Sequence, residues 1–391
     1  MNRADGAQWL VLAELLAGSS DGRALAEESF KQAALHGQRE DQLAAARTRA
    51  SAVVAAREAR EQAEKDVRLK KSGGGGAAGN GGAGGSGGAA AGGAGAGGAG
   101  GAAESERVAP IVPWPALTAA EQTDACALTR KGFDHALQVS GIRIEPVASK
   151  YFVLGGDVSK AELESLGRDM DAATEWGMTI LGLSKDASPF WGKPTLLALT
   201  TQESFAVSEA ALYGAKVTAG QHAALHTDGP QAFMTAWRGN DAVAFRTAVL
   251  QQVAKALLHR THSATALPEW AEQGFADWVT RGADTRAPID RERRPIGLKF
   301  IREGGQVANV LAATSANGQW PGTNGVALAV AYLTVDFMIA ERPPLFSQWV
   351  GAIKAGAPWE AATQQVYGVT PAQLGGSVTA WYRTNDGAPR R

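Results

Sequence analysis

Apolar residues recur at helical spacing along most of the chain, and runs of consecutive apolar residues break that rhythm twice. Leu163, Leu166, Met170, Ala173 and Trp176 follow i, i+3, i+4 spacing and predict a helix over about 160–181. Tyr151-Phe152-Val153-Leu154, within 149–155, and the apolar run within 195–200 predict two buried strands on either side of it. A helix over 118–139 precedes them and a short one near 203–212 follows. From about residue 243 the pattern is helical almost to the end. It predicts helices at 243–261, 268–281, 294–303, 325–341, 345–354, 357–367 and 370–384, with Pro343-Pro344, Gly356 and Gly368 as punctuation. Two strands separated by a helix and followed by helices define an α+β class, a small sheet leading into a mainly helical subdomain.

Composition divides the chain into three parts. Residues 1–71 are rich in Ala, Glu, Arg and Gln and read as a helical segment. Trp9, Leu12 and Leu15-Leu16, then Ser19-Ser20-Asp21-Gly22, then Ala26, Phe30 and Ala33 resemble one tetratricopeptide helical hairpin. An ordinary amphipathic hairpin fits the same residues. Residues 40–70 read as a long solvated helix, with Glu61 facing Lys65 and Glu64 facing Arg68. Residues 72–110 form a Gly/Ala-rich linker, expected to be disordered because it has too little apolar surface to offset its ordering entropy. A coil of that kind spans roughly 30 Å. Residues 111–387 have globular composition and are the expected folded domain.

Charge and cysteine content narrow the function classes. The 391 residues carry a formal net charge of -1, which provides no electrostatic case for nucleic acid or an anionic membrane surface. The one cysteine, Cys126, excludes an intramolecular disulfide or a multi-cysteine metal site. No apolar run reaches about 18 residues, so no transmembrane helix is expected. The apolar stretch 9–17 contains Glu14 and lacks a basic leader, so it does not read as a signal peptide. If Met1 is the true start, a cytoplasmic location is expected.

Candidate chemistry centres on Gln251-Gln252-Val253-Ala254-Lys255 and on Pro268-Glu269-Trp270-Ala271-Glu272-Gln273-Gly274-Phe275-Ala276-Asp277. These segments, with the two strands before them and the tail containing Val330-Ala331-Tyr332-Leu333 and Tyr367-Gly368-Val369-Thr370, resemble the small gluzincin-type (MA-like) metallopeptidase domains of many bacterial proteins. The resemblance covers roughly 145–385. In that family H-E-x-x-H puts two histidines on one helical face around a zinc ion, its glutamate works on the zinc-bound water, and a glutamate of the next helix is the third ligand. Here the first histidine position is Gln251, the glutamate is Gln252, the second histidine is Lys255 and the third ligand is Gln273. An amide is a poor zinc ligand, an ammonium has no free lone pair, and Gln252 cannot accept a proton at neutral pH. The resemblance therefore implies the fold without the reaction: no metal, no cofactor and no catalytic residue.

Glu272, Asp277 and Tyr332 are candidates to line the cleft. Lys255 either occupies the vacated metal position and pairs with Asp277, or extends to solvent. His259 and His262, with Glu269 or Glu272, offer a rebuilt metal site at unsuitable i,i+3 spacing. Helix-end histidines favoured by the dipole explain them more simply. His222 and His226 fall in a segment that reads as a Gly-bounded loop. The expected function is a catalytically inactive metallopeptidase-like module that binds a peptide or protein partner, with an active hydrolase of relocated or metal-independent mechanism as the alternative. No G-x-S-x-G or comparable nucleophile motif supports that alternative.

Overall fold

The computed structural model describes residues 111–384, apart from 143, 187, 316–319 and 321–324, and six isolated helical positions between 31 and 47. The chain divides into a unit over Met1–Pro110 and a unit over Ile111–Arg391. The expected hairpin, long helix and Gly/Ala linker lie, apart from those positions, outside the described residues.

Within the second unit the elements run α1 (Ala119–Val139), β1 (Val147–Ala148), β2 (Val153–Gly156), α2 (Lys160–Leu181), β3 (Thr195–Leu199), α3 (Gln202–Tyr213), β4 (Ala223–Asp228) and β5 (Gln231–Trp237). They continue with α4 (Ala242–Arg260), α5 (Glu269–Ala283), α6 (Ile289–Arg302), α7 (Val307–Leu311), α8 (Val326–Glu341), α9 (Pro343–Lys354), α10 (Trp359–Tyr367) and α11 (Pro371–Thr384). This is an α+β architecture, a mixed sheet followed by a helical assembly.

Local signals account for the element ends. Thr118 and Glu121 form a reciprocal capping box at the start of α1. The Ser159 side chain caps α2, and Gly182 ends it with φ at 66°. Asp241 accepts from the amides of Val243 and Ala244 at the start of α4, and His259 and Arg260 meet the carbonyl end of its dipole. Pro268 opens α5, whose first turn carries Glu269 and Glu272.

The sheet has strand order β1-β2-β3-β5-β4. β2, β3 and β5 run parallel at its centre, while β1 and β4 are antiparallel edges. Alternation along the central strands sends side chains to both faces. Val153, Leu197 and Leu199 pack with Phe133 and Leu137 of α1 and Phe205 of α3. Leu154, Leu196 and Ala198 join the larger core, which includes Leu163 and Met170 of α2 and Val249 and Val253 of α4. The helices after the sheet extend that larger core.

The sheet is wider than the two strands expected. The segment carrying His222 and His226 is not a free loop: His226 lies in β4, paired with Phe233, and His222 immediately precedes the strand. The turn Gly229-Pro230 closes a hairpin onto β5. The sixth helix starts five residues earlier than its apolar pattern indicated, because its first two turns are held by ion pairs of Asp290, Arg293 and Arg294. α5 and α8 cross closely at Gly274, where an added Cβ would lie 2.4 Å from the Ala331 carbonyl oxygen. That contact explains the need for glycine there. Among the described residues, no helix is long and apolar enough to cross a membrane.

Candidate functional site

Two helices and one strand edge meet at the segments singled out in the sequence. α4 buries Val249, Leu250, Val253, Ala254, Ala256, Leu257 and Leu258, which leaves Gln251, Gln252, Lys255 and His259 half-buried along its remaining face. α5 buries Trp270, Ala271, Gly274 and Phe275 and presents Glu272 and Gln273 on a half-buried face.

Gln251 and Gln273 converge on one atom. Gln251 Nε2 donates to Asp277 Oδ1 at 2.6 Å, and Gln273 Nε2 donates to the same oxygen at 3.1 Å. Arg293 Nε of α6 donates to Asp277 Oδ2 at 3.1 Å. Asp277 is completely buried. An ionised carboxylate only accepts, so both amides must turn their NH2 groups towards it. Burial raises the affinity of Asp277 for its proton, opposed by the Arg293 charge and by the donated hydrogen bonds of Gln251, Arg293 and Gln273.

Of the two readings of Lys255, pairing with Asp277 or extension to solvent, the ion pair is not formed. Arg293 supplies the counter-charge, and the two amides occupy the other carboxylate oxygen. Lys255 instead lines a cavity of about 240 Å³. Its walls are Leu225 and Thr227 of β4, Lys255, Leu258 and His259 of α4, the turn Ala264–Leu267, Glu272 of α5 and Lys354 of α9. Glu272 thus faces this cavity. Tyr332 does not. It is fully buried, and its hydroxyl donates to Asp290 Oδ1 at 2.5 Å. There it belongs to a network in which Arg281 and Arg294 bridge Asp290 and Asp336. Tyr382 donates to Asp336 in the same network. The network ties α5, α6, α8 and α11 together.

Nor do His259 and His262 form a rebuilt metal site. His259 Nε2 donates to the Gly229 carbonyl at 2.8 Å, and burial holds its imidazole below the ordinary value. His262 follows the helix with φ at 63°, its carbonyl accepting from the Trp114 amide at 2.7 Å. Among the described residues, no three His, Cys, Asp or Glu side chains converge as metal ligands.

Lys354 is the cavity residue that sequence reasoning missed. It is 1% exposed, and its ammonium donates to the Ser263 carbonyl at 3.1 Å. Ser263 Oγ in turn donates to the Lys354 carbonyl, which fixes the turn after α4 against the end of α9. Burial pushes the Lys354 amine down to about 8, opposed in part by the negative charge of Glu272. The signal was present in the spacing of α9: Phe346, Trp349, Val350, Ile353 and Lys354 share one buried stripe. A lysine in the last turn usually reads as a dipole partner in water, and only its place on that stripe points inward.

A second buried carboxylate lies on the opposite face of the sheet. Glu209 of α3 is 1% exposed, accepts from Thr235 of β5 and contacts His226 Nε2 of β4 at 2.9 Å. The His226 ring stacks on Tyr213 with centroids 3.6 Å apart. These contacts anchor the outermost strand from the face away from the cavity.

A scan against protein-family models and a search of the curated proteins each find no match to this chain.

Proposed function

We infer that residues 111–387 form a catalytically inactive domain of gluzincin type that binds a peptide or protein segment in the cleft between β4 and α4. The observation carrying this reading is the convergence of Gln251 and Gln273 on Asp277. Gln251 and Gln273, to which the resemblance assigns two ligand positions, both donate to Asp277, so two amides surround a carboxylate there. The arrangement has no imidazole to hold a metal and no solvent-facing carboxylate to activate water. The cleft beside it has an open cavity of about 240 Å³ and an antiparallel edge strand, the elements needed to hold an extended peptide.

Metal analysis and peptide retention test the reading together. Protein purified without a metal-binding tag is expected to contain no stoichiometric zinc and to show no change in Tm when zinc is added. Incubated with a casein-derived peptide pool, it should retain a subset of peptides that mass spectrometry finds intact. One tightly held zinc per chain, or newly generated fragments that scale with protein concentration, would overturn the assignment.

A further inference from the structure

We propose that the cavity between β4, α4, α5 and α9 is a carboxylate pocket that takes an Asp or Glu side chain of a peptide laid along the free edge of β4. The inference rests on the peptide-binding reading and gives it a substrate chemistry.

Three observations carry it. First, the ionisable groups facing the cavity are Lys255 and His259 from α4, Glu272 from α5 and Lys354 from α9. His259 is spent on the Gly229 carbonyl and held towards its neutral form. Two ammonium groups therefore face one carboxylate, an excess of positive charge. Second, the donors are not used up. Among the described residues Lys255 has no hydrogen-bond or ion-pair partner, and the Lys354 ammonium, with three N–H groups, has one hydrogen-bond partner, the Ser263 carbonyl. A buried ammonium left with spare donors is costly, and an incoming carboxylate satisfies it.

Third, the strand geometry delivers a side chain to this place. β4 is the last strand of the sheet. Among the described residues its backbone makes no hydrogen bond beyond β5. Leu225 and Thr227 both line the cavity, so that face of β4 looks into it. In a strand added to the edge, every second side chain stands on the same face. One of them would enter beside Lys255 and Lys354. The volume of about 240 Å³ accommodates a single side chain with water, not a folded element.

The test is fluorescence anisotropy on the full chain. The probe is a labelled, C-terminally amidated heptapeptide of alternating threonine and valine with glutamate at its centre. A second peptide has glutamine there, and a third has glutamine and a free C-terminus. The glutamate peptide is expected to bind at least tenfold more tightly than the glutamine one. Lys354→Met and, independently, the half-exposed Lys255→Met should each reduce that preference to less than threefold. N-methylation of alternate peptide amides should remove binding of the blocked peptides, because it removes the strand hydrogen bonds. Equal binding of the blocked glutamate and glutamine peptides would overturn the carboxylate pocket and leave the peptide reading standing. Tighter binding of the free C-terminus than of the central glutamate would overturn the side-chain assignment in favour of a terminal carboxylate. Failure of all three peptides to bind would overturn both inferences.

Discussion

Replacing Lys354 by methionine should stabilise the domain at neutral pH and change how its stability depends on pH. Burial lowers the amine from the ordinary 10.5 to about 8, while its side chain remains 1% exposed. At about 1.4 kcal/mol for each tenfold change in proton affinity, holding the ammonium charged in that place costs roughly 3 kcal/mol at pH 7. Methionine fills a similar volume without charge. It also removes the donor to the Ser263 carbonyl, a loss of about 1 kcal/mol, so the net gain is roughly 2 kcal/mol. The direction with pH follows from the lowered affinity. Below about pH 8 the lysine is protonated in both folded and unfolded chains, and the cost is fully present. Between about 8 and 10.5 the folded state sheds its proton first, so the wild type gains stability as pH rises. The advantage of Lys354→Met should therefore be largest at pH 7 and shrink or reverse by pH 10. Urea unfolding followed by tryptophan fluorescence measures both, since all of the 11 tryptophans except Trp9 lie beyond residue 110. A variant less stable than wild type at pH 7, with the same difference at pH 10, would refute the claim that the buried charge is a burden on the fold.

Other substitutions address the surrounding structure. Gly274→Ala puts a methyl group against the Ala331 carbonyl and should cost about 1–3 kcal/mol in urea unfolding, with the α5–α8 contact as the cause. An unchanged midpoint would show that the two helices separate freely. Asp277→Ala leaves Arg293 and two amides facing a void, and a loss of about 3–5 kcal/mol is expected in the same assay. A loss below about 1 kcal/mol would mean that the carboxylate is not the hub of α4, α5 and α6. Glu209→Ala should raise amide hydrogen exchange at Ala223–Asp228 more than elsewhere in the sheet, because it cuts the anchors to His226 and Thr235. Uniform acceleration across all strands would argue for a global loss of stability instead.

Helical spacing located most of the helices to within a few residues, because each buries a continuous stripe that is legible one element at a time. It placed α2 at its observed bounds and α8 and α11 to within one residue. The β4–β5 hairpin escaped for a physical reason. Ala223-Ala224-Leu225-His226-Thr227-Asp228 is an edge strand with polar residues on both faces, so it lacks the alternation of a half-buried strand. Its clearest local signal was the Gly229-Pro230 turn followed by the apolar run in β5. The start of α6 escaped because its first turns carry a single buried apolar residue, Ile289, among charged residues that form ion pairs.

The sequence by itself determined the α+β class, the central strands β2 and β3, and the run Gln251-Gln252-Val253-Ala254-Lys255, with two amides and an amine on one helix. These are properties of local pattern and of side-chain chemistry, and neither depends on distant residues. Tertiary structure decided which groups meet. Asp277 could have paired with Lys255 or with Arg293, and the docking of α6 against α5 selected the arginine. Lys354 lies 99 residues from Lys255 in the sequence, and only the approach of α9 to the end of α4 brings them to one cavity. Side-chain identity sets the chemistry available at each position, but the partners of a charge depend on the packing of whole helices, which one-dimensional spacing does not contain.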